Sequence, residues 1–269
     1  MRINTNLNGM IATNQMAKNT ALAGNSMEKL STGLRITKAG DDAAGLAVSE
    51  KMRAQIRGME QAERNVQDGI SLVQTAEGAL EEAGNIAQRM RELAVQGGND
   101  TLSDEDRAKI KSELTELQEE MGNIATETKF NGNSLLDANA GDFIIQAGAN
   151  GETRELIMED LSDIANGLSK LDVANNAKAQ SAIAEIDKAL EGINSARSAL
   201  GAMQNRLEYT ATNLTTSTEN LTAAESRIRD VDVAKEMVKL SKLNILNQAS
   251  QAMVSQAKQQ PESVTQLLR

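Results

Sequence analysis

Apolar residues recur along this chain at helical spacing, and two long series stand out. Met52, Met59, Val66, Val73, Leu80 and Ala87 are seven residues apart. Three positions after each come Gln55, Ala62, Gly69, Ala76, Ala83 and Met90, so one seam is large and its companion mostly small. That pattern predicts a long helix over 42–96 that admits close neighbours. Unbroken, it spans roughly 80 Å at about 1.5 Å per residue. Gly97-Gly98 is its stop signal. A second series, Ile186, Ile193, Leu200, Leu207, Leu214, Leu221 and Ile228, predicts another long helix over about 177–226.

Shorter elements lie between and around these two. Ser103-Asp-Glu-Asp is a capping-box-like start, and Ile110, Leu114, Leu117, Met121 and Ile124 follow in steps of four and three. The spacing predicts an amphipathic helix to about Thr128. Phe130-Asn131-Gly132 reads as a turn. The runs 142–147 and 153–158, on either side of Gly148-Ala149-Asn150-Gly151, read as a β-hairpin. Residues 159–176 look irregular, with a helical turn near 160–171. The two ends, 3–32 and 231–258, carry thin apolar stripes rich in Asn, Gln, Ser and Ala, and Pro261 is expected to stop the last helix. Neither end buries enough by itself to offset ordering entropy. They are expected to emerge side by side and to fold fully only against copies of themselves. Contacts of that kind that do not close on themselves build an open helical filament.

Residues 29–53, KLSTGLRITKAGDDAAGLAVSEKMR, fit neither helix type. Gly33, Gly40 and Gly45 interrupt the stretch, yet Leu30, Leu34, Ile36, Leu46 and Val48 keep it apolar. Asp41 and Asp42 stand where a new helix starts, and a helix N-cap explains them better than a metal pair, because no further ligand cluster is evident. The stretch reads as an ordered joint between two helical layers.

Composition narrows the function classes. The chain has no Trp, His or Cys, one Tyr, two Phe and one Pro. Missing His and Cys remove the commonest general base and thiolate metal sites, and no nucleophile–base or phosphate-loop constellation appears. No enzyme activity, cofactor or metal is expected. The net charge of −10 is uneven: residues 1–40 carry +4, residues 227–269 carry +3, and the middle carries −17. An acidic middle argues against nucleic acid. No segment approaches about 18 apolar residues, so no membrane span is expected. The start, MRINTNLNGMIATNQ, lacks the apolar run of a secretory signal, which by itself favours a cytoplasmic address.

The motifs MRINTNLNGMIATN, LSTGLRITKAGDDAAGLAVSEKMRAQIRG, AQRMRELAVQ, TKFNG, IQAGAN and NQASQAMVSQAKQQPESVTQLLR closely resemble bacterial flagellin, the flagellar filament subunit. The match covers about 1–158 and 177–269, and only about twenty residues separate the hairpin from the last long helix. The resemblance therefore implies a minimal form without the family's variable outer domains. It implies a mainly α fold, a long antiparallel helical bundle with a small β-hairpin. Residues 1–32 and 231–269 would pair as an inner coiled-coil layer. Residues 33–46 and about 227–230 would be the spoke, and 47–226 the outer helical domain with its hairpin near 142–158.

The resemblance further implies a self-assembling subunit of the filament used for swimming, exported through the flagellar type III apparatus to the cell exterior. That reverses the cytoplasmic expectation. Implied partners are further copies of the chain, an export chaperone, the filament cap and the hook–filament junction proteins. Two animal receptors complete the set: the flagellin-sensing Toll-like receptor and a cytosolic inflammasome receptor. Gln88, Arg89, Leu93 and Glu113 match the patch the Toll-like receptor binds. From spacing alone, Arg89 and Glu113 are exposed helix charges and Leu93 is core. Leu7, Ile11, Leu243, Leu246, Met253, Leu267 and Leu268 read first as inner-layer packing, and by resemblance also as chaperone contacts. The alternatives are a hook–filament junction protein, which shares the terminal layers, and a signalling coiled coil. The latter leaves the glycine-rich joint unexplained.

Overall fold

The computed structural model describes residues 6–138 and 141–267. Among these the order is α1 (Leu7–Thr32), α2 (Ala43–Gly97), α3 (Asp104–Glu127), β1 (Lys129–Phe130), β2 (Asn133–Ser134), β3 (Phe143–Gln146), β4 (Thr153–Leu156), α4 (Leu161–Gly167), a 3-10 turn at Leu168–Lys170, α5 (Asn176–Arg229) and α6 (Val233–Leu267). The fold is mainly α, with two small antiparallel strand pairs. It divides into two compact units. One combines Met1–Ala54 with Asn220–Arg269; the other is Gln55–Glu219.

Within Gln55–Glu219 the predicted heptads form the core. Val66, Val73, Leu80, Ala87 and Met90 of α2 are buried, as are Ile186, Ile193, Leu200 and Leu207 of α5. The two helices run antiparallel: Glu63 accepts from Thr215 at 3.2 Å, and Asp187 accepts from Arg91 at 2.6 Å. Ser103 caps α3 by accepting from the Asp106 N–H at 3.2 Å, as the capping signal predicts. The helix turns back beside α2, where Glu113 accepts from Arg89 at 3.0 Å. Ile110, Leu114 and Met121 of α3 are buried.

The small seam of α2 serves the β-hairpin as well as α5. A Cβ on the seam residue Gly69 would lie 3.2 Å from Ile145 and 3.5 Å from Leu207, and one on Gly58, off the seam, would lie 2.7 Å from Ala149. Asn65 donates to the Gln146 carbonyl at 3.1 Å between them. These small positions therefore admit a hairpin, in addition to the neighbouring helix that the heptads predict. The hairpin pairs Phe143 with Leu156 and Gln146 with Thr153.

Two local expectations are extended and one is corrected. The turn expected at 130–132 is present and closes a second hairpin: Lys129 pairs with Ser134, and Asn131 and Gly132 both have positive φ, at 51° and 85°. Two successive left-handed residues match the right-handed twist of paired strands, so Asn-Gly here closes β1 onto β2. The helical turn expected near 160–171 is present as α4 and the 3-10 turn after it, with Asp160 capping α4 by accepting from the Ser162 N–H at 2.8 Å. Finally, α6 continues through Pro261 to Leu267. Proline removes only its own N–H from the ladder, and the following residues still have carbonyls four positions back to bond.

In the other unit α1 and α6 lie side by side. Asn6 caps α1 by accepting from the Gly9 N–H at 2.9 Å, and its amide also donates to the Ala257 carbonyl of α6 at 2.7 Å. Asn19 donates to Ser250 at 3.4 Å, and Ala23 and Leu243 are buried.

Candidate functional site

No helix among the described residues is long and apolar enough to cross a membrane, and no group of three or more Asp or Glu is placed to hold a metal. The candidate functional features are surfaces and a joint.

The joint begins where Gly33 ends α1 in the left-handed region, at φ 70°. A residue with a Cβ is strained there. The chain then forms a two-sided bridge with the segment returning from α5. Leu34 pairs with Asp230, the Arg35 N–H donates to the Arg229 carbonyl at 2.6 Å, and the Val231 N–H donates to the Gly33 carbonyl at 3.0 Å. The Arg35 guanidinium also donates to the Ile228 carbonyl at 2.6 Å. Ile36 is buried beneath.

The expectation that Asp41 and Asp42 share a helix N-cap holds for only one of them. Asp42 is the cap of α2: its carboxylate accepts from the Gly45 N–H at 2.9 Å. Asp41 instead ties the turn before it, accepting from Thr37 N–H at 3.2 Å and Lys38 N–H at 3.3 Å. Those backbone donors, Thr37 first, hold its carboxyl below the usual carboxylate range. The reason for the split is geometric, since one helix start offers its orphan donors to a single N-cap position.

The three joint glycines are not equivalent. Gly33 needs positive φ. Gly45 needs space, because a Cβ there would lie 2.6 Å from Asp42 Oδ2 and 2.8 Å from Ile36 Cδ1. Gly40 faces open space at ordinary φ. Further along, Arg229 is buried and salt-bridges Glu50 at 2.5 Å. Nothing in the spacing marked that pair, because it joins positions 179 residues apart.

The terminal helices expose apolar side chains in quantity. Leu7 is 59 % exposed, Ile11 58 %, Met253 64 % and Leu246 39 %, whereas Leu243 is 7 % exposed and packs inside the pair. Ile11, Leu246 and Met253 line a groove of about 490 Å³ between α1 and α6, together with Asn8, Gln15 and Gln256. Leu267 is the last residue of α6, but its side chain and the whole of Leu268 lie outside the described residues. Val238 and Ile245, also exposed, sit off the heptad seam and escaped sequence reasoning. Apolar residues ring α6, and one partner helix buries only one side of it.

On the other unit Gln88, Arg89 and Glu113 are all exposed. Arg89 pairs with Glu113 at 3.0 Å and with Glu92 at 3.1 Å, and these carboxylates, Glu113 first, raise its already high pKa. Leu93 is 2 % exposed, in the core below the patch.

Comparison with known proteins places this arrangement. The family model for the bacterial flagellin N-terminal helical region matches residues 3–141, and that for the C-terminal helical region matches residues 183–268. The chain belongs to the bacterial flagellin family. A flagellin of Halalkalibacterium halodurans is 56 % identical over 272 residues, covering all of both chains. A flagellin of Bacillus subtilis strain 168 is 48 % identical over 304 residues, again covering all of both. Among solved structures, a Bacillus cereus flagellin is 35 % identical with a TM-score of 0.53, covering 60 % of this chain and 94 % of that one. As a flagellin, the chain is a structural subunit that self-assembles into the bacterial flagellar filament, and it is not an enzyme. The family and its full-length relatives favour this over a hook–filament junction protein.

Proposed function

We propose that residues 1–32 and 231–269 form the inner coiled-coil layer of the filament. Residues 33–46 and about 227–230 then act as the spoke, and 47–226 as the outer helical domain. One observation carries this reading: Leu7, Ile11, Leu246 and Met253 are exposed on the paired terminal helices while Leu243 is buried between them. A helix pair that leaves this much apolar surface in water is stable only when more of the same surface covers it. Self-copies supply that cover in the filament. Before export, a chaperone that grips the C-terminal helix supplies it, which suits passage through the type III apparatus to the cell exterior. The cap and the hook–filament junction proteins meet the same face at the two ends of the filament.

The test is deletion of residues 1–32. The shortened chain is expected to keep its helical circular dichroism from α2, α3 and α5 and to form no filaments by electron microscopy. Filaments of normal length would overturn the layer assignment.

The exposed patch of Gln88, Arg89 and Glu113 is the proposed contact for the flagellin-sensing Toll-like receptor in animal hosts, with Leu93 supporting it from beneath. Arg89→Ala is expected to weaken receptor activation by the monomer about tenfold, on the order of one lost charge-assisted contact. An unchanged dose–response would remove the patch from consideration.

A further inference from the structure

Of the twelve methionines, eight of the described ones fall at the two extremes of depth, and Met16, Met52 and Met203 are half-buried. Met59, Met90, Met121 and Met158 are buried, and all lie within Gln55–Glu219. Met10, Met27, Met237 and Met253 are exposed, from 52 % to 64 %, and all lie on α1 and α6. Met253 lines the groove with Ile11 and Leu246, and Met237 lines a second apolar depression with Val238 and Ile245. The thioether is apolar and flexible, which suits a face that must fit a partner. It is also the side chain here that a two-electron oxidant attacks most readily, because the chain has no Cys, His or Trp.

We propose that Met10, Met27, Met237 and Met253 are an oxidation site of the unassembled subunit that controls its competence to polymerise. A peroxide transfers one oxygen atom to each thioether sulfur. The O–O bond breaks, the S=O bond forms, the sulfur is oxidised by two electrons and water leaves. The resulting sulfoxide is polar and chiral, and it no longer fits an apolar contact. The four positions are open in the free chain and closed once covered by neighbours, so the modification acts before assembly. This rests on the proposed burial of the terminal helices in the filament.

The experiment treats dilute full-length monomer and preformed filaments with hydrogen peroxide. Sulfoxide at each methionine is followed by peptide mass spectrometry, and polymerisation by sedimentation and electron microscopy. In monomer the four exposed methionines are expected to oxidise at least about tenfold faster than Met59, Met90, Met121 and Met158, and in filaments to be protected. Oxidised monomer is expected to need about a tenfold higher concentration to polymerise. Methionine sulfoxide reductases should restore polymerisation of the oxidised monomer. Oxidised monomer that carries the four sulfoxides and polymerises normally overturns the proposal. So does equal reaction at buried and exposed positions, or filaments in which the four remain fully reactive. Untreated chain that forms no filament overturns the assembly reading itself, and the proposal with it.

Discussion

Two sets of helices in this flagellin carry similar apolar spacing and meet different fates. In α2, Val66, Val73, Leu80 and Ala87 are at most 1 % exposed. In α1 and α6 most of the large apolar residues remain in water, with Leu243 and Ala23 among the few buried. One helix shows the change along its own length. Ile186, Ile193, Leu200 and Leu207 of α5 are buried, whereas Leu221 and Ile228, on the same seven-residue series, are half-buried. Periodicity sets which side of a helix is apolar. The number of neighbours sets how much of that side leaves water. Within Gln55–Glu219, α2 has α3, α5 and the β3–β4 hairpin around it; α1 and α6 have chiefly each other. The uncovered remainder on the terminal pair is the surface that, on the proposed layer assignment, filament assembly buries.

The sharpest way to break this contrast is truncation on both sides of it. Leu80→Ala in the covered core is expected to lower monomer stability by about 2–5 kcal/mol in denaturant unfolding, since a buried leucine leaves a cavity. Leu246→Ala on the terminal pair is expected to change monomer stability by less than about 0.5 kcal/mol while markedly reducing filament yield in sedimentation. Equal stability losses from the two would remove the distinction.

A smaller effect separates the joint glycines. Gly45→Ala places a Cβ against Asp42 and Ile36 and is expected to cost about 1–3 kcal/mol. Gly33→Ala is expected to cost about 1 kcal/mol through left-handed strain. Gly40→Ala, facing open space, is expected to stay within about 0.5 kcal/mol. Thermal unfolding of the three single variants reads the order, and a Gly40 variant as damaged as the Gly45 variant would contradict it.

The smallest effect is acid sensitivity beside the terminal helices. Asp41 is lowered by the Thr37 and Lys38 N–H groups, and Asp232 by the Lys235 N–H at the start of α6. A carboxyl whose folded pKa is depressed adds stability above its unfolded pKa. That stability fades as pH falls from the ordinary carboxylate value through the lowered one. Asp41→Asn and Asp232→Asn are each expected to flatten the acid limb of a helicity titration slightly. A steeper limb would reverse the sign.

Much of this molecule was legible in its residues. The extents of α2, α3 and α5, the Ser103 cap, the β3–β4 hairpin and the flagellin motifs all rest on local signals, because caps, turns and heptads are decided within a few residues of chain. The continuation of α6 through Pro261 and the closure of β1 onto β2 were missed at that same local level, where a breaker or turn signal admits two outcomes.

Other features were settled only when distant segments met. The spacing could place Asp41 and Asp42 at a helix start, but the division of labour between them depended on the preceding turn. It could mark three glycines as a joint, but Gly45 is required by the position of Ile36, and the Arg229–Glu50 pair by the return of α5. The family resemblance put Leu93 among the patch residues, whereas spacing alone already read it as core, and there it is buried. The sequence by itself determined which faces are apolar and where elements start. The tertiary structure decided which of those faces are covered, because burial depends on how many neighbours a helix has and periodicity does not count them.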